Sequence, residues 1–152
     1  SATAARFYRM PLPAALEDDP RLHVAVPNPR RAPRSAGIVG HKFVVRPARG
    51  EVLELEGLPF SSPERAWCEL GALLETTELV VAGDHLIRPA NRLSSAARLR
   101  ATLERHPAPR SRERLHRAFS LLDPGAESPK ETELRLILRA GGLSGLRTNL
   151  SV

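Results

Sequence analysis

The period of the apolar residues changes once along this chain, at Ser61-Ser62-Pro63-Glu64, and that change limits what each side can fold into. Before it, apolar runs are short and stop at proline or glycine. Leu22, Val24 and Val26 alternate with His23 and Ala25 until Pro27; 41–46 and 51–55 are further short runs, and Gly57 separates the latter from 58–60. The pattern predicts a small antiparallel sheet within about 21–60. Between its first two strands, Pro27, Pro29 and Pro33 forbid a helix and leave Arg30, Arg31 and Arg34 on an exposed loop that ends at Gly37.

After the change, the apolar residues recur at about 3.6. Ser61 and Glu64 have capping-box spacing, and Pro63 suits a first helical turn. The first helix carries Ala66, Leu70, Leu73 and Leu74 inward with Trp67 beside them. A second covers 78–88 through Leu79, Ala82, Leu86 and Ile87, although 79–82 alone is short enough for a strand. Ser94 or Ser95 caps a third, which places Ala96, Leu99 and Leu103 inward and ends at His106-Pro107. The fourth has Leu115, Ala118, Phe119 and Leu122 at i, i+3, i+4 and i+7, and Asp123-Pro124-Gly125 breaks it. The last opens at Ser128-Pro129-Lys130-Glu131, turns Leu134, Ile137 and Leu138 inward, and stops at Gly141-Gly142.

Residues 146–152 then alternate as a strand, which must either join the earlier sheet or belong to something longer. The expected class is therefore α+β: a small antiparallel sheet, an array of four to five helices and a final strand. The regions are a β-rich 1–60 and a helical 61–123.

No run of eighteen apolar residues exists, and the start lacks the basic-then-apolar layout of a secretory signal, so a cytoplasmic protein with no membrane partner is expected. Cys68 is the one cysteine and the five histidines are scattered, so no metal framework and no internal disulfide are expected. Cys68 itself reads as a buried, inert thiol.

A net charge of +6 points to an acidic partner, but arginine supplies nearly all of the 23 basic residues, as high-GC codon usage alone would produce. Placement is more informative. Residues 88–117 hold nine arginines (Arg88, Arg92, Arg98, Arg100, Arg105, Arg110, Arg112, Arg114 and Arg117) against Glu104 and Glu113. At 100° per residue, Arg110, Arg114 and Arg117 fall opposite the Leu115/Phe119 stripe, where they could follow a nucleic-acid backbone. With Arg98, Arg105 and the loop arginines 30, 31 and 34, they are the candidate DNA-binding residues. Solvated arginines in an arginine-rich proteome account for the same pattern. Aromatic residues total 4%, so no single-strand stacking platform is expected.

Glu131 is the one candidate catalytic carboxylate: it sits at the rim of the last helix's apolar stripe, where an acid could help hold a divalent ion beside a phosphate. A capping-box glutamate paired with Arg135 at i+4 is the structural alternative. Asp84-His85 invites a dyad reading, against a simple i, i+4 salt bridge from Asp84 to Arg88.

Several stretches carry a resemblance: Ala4 to Pro13, Leu22 to Pro27, Gly57 to Trp67, Val80-Val81-Ala82-Gly83-Asp84-His85-Leu86, and Glu127 to Arg135. In order and spacing, over most of the chain, they resemble actinobacterial proteins that relate to AbiEi-type antitoxins and end in a Vsr-like endonuclease domain of the restriction-endonuclease superfamily. The resemblance implies that 128–152 is the opening helix and strand of a nuclease-like domain. Glu131 then matches the family's glutamate and Arg135 its following basic residue. The acids that complete the family's metal site would lie past Val152, and its winged-helix segment before Ser1.

The resemblance also implies a DNA-associated protein of toxin–antitoxin, phage-defence or repair type. This chain would be a non-catalytic binding or scaffold part of a longer nuclease-like parent. No cofactor is expected, with a divalent cation only where the parent's site is complete. The alternative is a protein–protein module of an antitoxin-like regulator that pairs with a partner, or with itself, through strand 146–152.

Overall fold

A computed structural model describes residues 1–43, 48, 50–107 and 110–143. The elements run α1 (Ala2–Phe7), α2 (Ala14–Glu17), β1 (Leu22–Pro27), β2 (Ile38–Phe43), β3 (Val52–Leu55), β4 (Leu58–Ser61), α3 (Pro63–Leu70), α4 (Thr76–Ile87), α5 (Ala96–Arg105), α6 (Arg112–Ser120) and α7 (Pro129–Ala140). The fold is α+β, as the change of period predicts. The five helices after residue 61 match the expected array, while α1 and α2 add helical structure to the N-terminal region that the pattern does not predict.

The strands do not form one antiparallel sheet. They make two separate pairs: β1 with β2 in parallel, and β3 with β4 antiparallel. The proline-rich connection explains the difference. Instead of turning back as a hairpin loop, 28–37 carries the chain along β1 to start β2 at the same end, with Leu22 opposite Ile38. Its return path presses on β2: a Cβ at Gly40 would stand 2.2 Å from the Pro33 carbonyl oxygen, so only glycine fits there. The β3–β4 hairpin turns through Glu56 and Gly57, both at positive φ (50° and 78°), as a two-residue type I′ turn requires. Phe60 seats the hairpin on α1, with ring centroids 4.8 Å from Phe7 and 5.9 Å from Tyr8, and the Tyr8 hydroxyl donates to the Ser61 carbonyl at 3.0 Å.

α3 begins one residue later than the capping-box spacing suggests. With Pro63 in the first turn, Ser62 is the N-cap and its hydroxyl accepts from the Arg65 N–H at 3.2 Å, while Ser61 remains in β4. α4 is a helix, opened by a reciprocal Glu75/Glu78 box, and it lies at the centre of the array, packed on by α3, α6 and α7. Trp67, Leu70, Leu74, Leu79, Leu86, Leu99 and Leu115 form the core between these helices. Trp67 is wholly enclosed and its indole N–H donates to the Leu79 carbonyl at 2.9 Å, which ties α3 to α4. Leu73, expected inward, is exposed.

The largest departure is α7. Two of its three expected inward residues point outward: Leu134 is 56% and Ile137 68% exposed, while Leu138 is half-buried and Thr132 and Arg135 are buried. The helix is docked by its polar side. The reason is a buried acid on α4: Asp84 accepts from the Thr132 hydroxyl at 2.8 Å and from Arg135 Nη2 at 2.7 Å, and its other oxygen accepts from the Asp123 N–H at 2.7 Å. Burying that carboxylate without these donors would cost more than exposing two apolar side chains. The expected final strand, 146–152, lies outside the described residues.

Candidate nucleic-acid interface

Glu131 sits where a capping box puts it. Its carboxylate accepts from the Ser128 hydroxyl at 3.1 Å and from the Glu127 N–H at 3.0 Å, and its own N–H donates to Ser128 Oγ at 3.2 Å. The expected partner at i+4 is elsewhere, because Arg135 is committed to Asp84 and to the Leu121 carbonyl, 2.8 Å from Nη1. Among the described residues, no group of three or more His, Cys, Asp or Glu is placed to hold a metal ion. Glu131 thus belongs to no such group.

Asp84 does not bridge to Arg88 either; the Arg88 guanidinium donates to the Glu127 carbonyl at 2.6 Å. Burial pushes the Asp84 carboxyl up, against the lowering by the Asp123 N–H, the Thr132 hydroxyl and the Arg135 charge. His85 turns away from Asp84, with Nε2 3.2 Å from the Tyr8 carbonyl. Burial holds its pKa below the ordinary imidazole value. The pair is structural. Burial also pushes the Cys68 thiol far up, which suits an inert side chain.

The arginines separate into bound and available groups. Arg114, expected on an outer stripe, turns back instead: Nη1 donates to the carbonyls of Leu74 at 2.9 Å and Gly71 at 3.3 Å beyond the end of α3, and Nη2 stands 3.5 Å from Glu75. Arg110 precedes α6 and is exposed, so Arg110, Arg114 and Arg117 do not share one helical face. Arg98 pairs with the buried Glu64 at 3.0 Å, and Arg105 approaches Glu51 at 3.5 Å, although both side chains remain more than half exposed. Arg30, Arg31 and Arg34 are exposed on the β1–β2 crossover. That sheet is tied to α1 by the His23 N–H, which donates to the Thr3 hydroxyl at 2.8 Å.

Besides Arg92 and the arginines of the crossover, a set of open arginines lies around α6. Arg100, Arg110, Arg112 and Arg117 are exposed, and no carboxylate stands within ion-pair distance of them among the described residues. Two clefts flank the C-terminal half of α6. One is lined by Arg100, Glu104, His116 and Phe119; the other by Thr76, Thr77, Arg117 and Arg139, with Ser120 on both. Sequence reasoning does not single out Arg100, Arg112, His116 or Arg139. The i, i+4 spacing of Arg112 and His116 is a signal that could have found those two, whereas the approach of Arg139 from α7 leaves no local trace.

A second polar feature lies on the parallel pair of strands. His23 Nδ1 and His41 Nε2 stand 3.0 Å apart with the rings stacked, and His23 Nε2 is buried with no partner among the described residues. Burial lowers both pKa values, and the neighbouring imidazole lowers that of His23 further.

With known proteins the chain finds no match: no family model, no curated sequence and no solved structure. No helix among the described residues is long and apolar enough to cross a membrane.

Proposed function

We propose that this chain is a DNA-associated binding or scaffold domain, cytoplasmic and without catalysis of its own, of the toxin–antitoxin, phage-defence or repair type that its resemblance to AbiEi-related, nuclease-ended proteins implies. The observation that carries the reading is the set of exposed arginines around α6, Arg100, Arg110, Arg112 and Arg117, left without carboxylate partners among the described residues while neighbouring arginines are consumed internally. Guanidinium groups held on α5, on α6 and just before α6 match the acceptors of a phosphodiester backbone, and each contact releases counterions without reading sequence. Glu131 enters as a cap of α7, and a divalent cation belongs to this reading only where a parent protein supplies further acids.

Anisotropy of a labelled DNA duplex, titrated with the chain at several salt concentrations, tests it. Affinity should fall steeply with salt, and Arg112→Ala or Arg117→Ala should each reduce the log–log slope by about one. A flat salt response, or no binding in low salt, rejects the proposal.

A second reading, a protein–protein module, draws on one observation: Leu134 and Ile137 face outward from α7. Self-association abolished by Leu134→Ser/Ile137→Ser in sedimentation velocity would favour it; a monomer at all concentrations would count against it.

A further inference from the structure

The cleft between α5 and α6 has a chemistry that backbone binding does not use. It is an open cleft of about 430 Å³, in the size range of small-ligand sites. Leu103 and Phe119 supply its apolar lining, and the Arg100 guanidinium carbon lies 5.3 Å from the Phe119 ring centroid. Glu104 lines it as an acceptor, and the Ser120 hydroxyl, which donates to the Arg117 carbonyl at 2.8 Å, keeps lone pairs open. Arg112, His116 and Ser120 follow at i, i+4 and i+8 along one line of α6, so two nitrogen-rich side chains lead up to the cleft.

We infer that this cleft takes one unpaired nucleotide of a single-stranded or frayed nucleic acid. The base lies against Phe119 and the Arg100 plane, Glu104 accepts from an amino or hydroxyl group, and the adjoining phosphates run past His116 and Arg112. The inference rests on the proposed phosphate binding and names which form of nucleic acid the same surface prefers. A bare anion suits the cleft poorly, because Leu103, Phe119 and the Glu104 carboxylate are part of its lining. A paired base cannot enter, because both of its faces are already stacked. The low aromatic content argues against an extended platform, but one base needs only one ring, and stacking on an aromatic side chain tolerates any base.

The test uses the full chain with three labelled oligonucleotides of equal length: a single strand, its duplex, and an abasic strand that keeps the phosphates and lacks the bases. The single strand should bind about tenfold more tightly than the abasic strand. Phe119→Leu should remove most of that preference while leaving the duplex within about twofold, and Arg100→Lys, which keeps the charge and loses the plane, should likewise lower the ratio of single-strand to abasic binding. Arg100 is exposed, so its variant remains informative if Phe119→Leu fails to fold. Equal binding of the normal and abasic strands, or a preference that survives both variants, overturns the inference even where Arg112→Ala still weakens binding and backbone contact stands. Failure of all three oligonucleotides to bind in low salt overturns both.

Discussion

Arg135 of α7 places Nη2 2.7 Å from the carboxylate of Asp84 on α4, and both side chains are almost wholly enclosed. Two helices that diverge in the apolar character of their surfaces are thereby joined through a buried charge pair. Removing one partner leaves the other charged and dry, so Arg135→Ala is expected to destabilise the chain by about 3–5 kcal/mol. Asp84→Asn/Arg135→Leu, which removes both charges, should recover part of that loss. Urea denaturation of the native chain and the two variants checks the order, and equal stability of Arg135→Ala and the native chain would refute it.

Gly83 permits the close approach of α3 and of the turn after α6 to α4. A Cβ there would lie 2.5 Å from Leu122 Cδ2 and 3.0 Å from Trp67 Nε1. The indole is held by its bond to the Leu79 carbonyl and cannot retreat. Gly83→Ala should therefore cost about 1–3 kcal/mol, read as a lower urea midpoint with an unchanged m-value.

His23, His41, His85 and His106 all have pKa values lowered chiefly by burial, with nearby positive groups or the neighbouring imidazole adding to the effect. The unfolded chain therefore binds protons that the folded chain refuses. Stability should be intact above about pH 6.5, the ordinary histidine value, and decline as the pH falls from there toward the lowered folded values. Denaturation midpoints at several pH values check the slope. His23→Gln/His41→Gln should flatten it, and a midpoint that rises on acidification would reverse the sign.

Arg114 and Arg112 are two residues apart yet should fail differently. Arg114→Ala removes donors from the Gly71 and Leu74 carbonyls and is expected to lower stability by about 1 kcal/mol, with little change in the salt slope of DNA binding. Arg112→Ala should leave the urea midpoint unchanged and reduce the slope. Reversed behaviour would mean that the inward and outward arginines have been exchanged.

The helices from α3 to α7 are readable in the sequence because their signals are local: a serine cap before Pro63 or Pro129, apolar residues at 3.6, and breakers such as Asp123-Pro124-Gly125. Strand direction is not, because β1 and β2 pair through a crossover whose path depends on Pro33 meeting Gly40. The facing of α7 escapes a local reading for a related reason. Leu134, Ile137 and Leu138 make an apolar stripe by count, but Asp84, 48 residues before Thr132, decides which side docks. The arginine-rich segment can be located from composition, while its division into engaged and open side chains depends on Glu64, Glu51 and the carbonyls beyond α3, all distant in sequence.

Fastening α7 by a buried charge pair as well as by the apolar Leu136 also sets how it responds to temperature. Apolar contacts such as the Trp67–Leu79–Leu86 packing weaken on cooling, and the clamp around Asp84 weakens with them, because the desolvation cost of a buried ion pair falls as the temperature rises. In the cold, the centre of the helical array and its last helix should therefore loosen together, since Asp84 belongs to both.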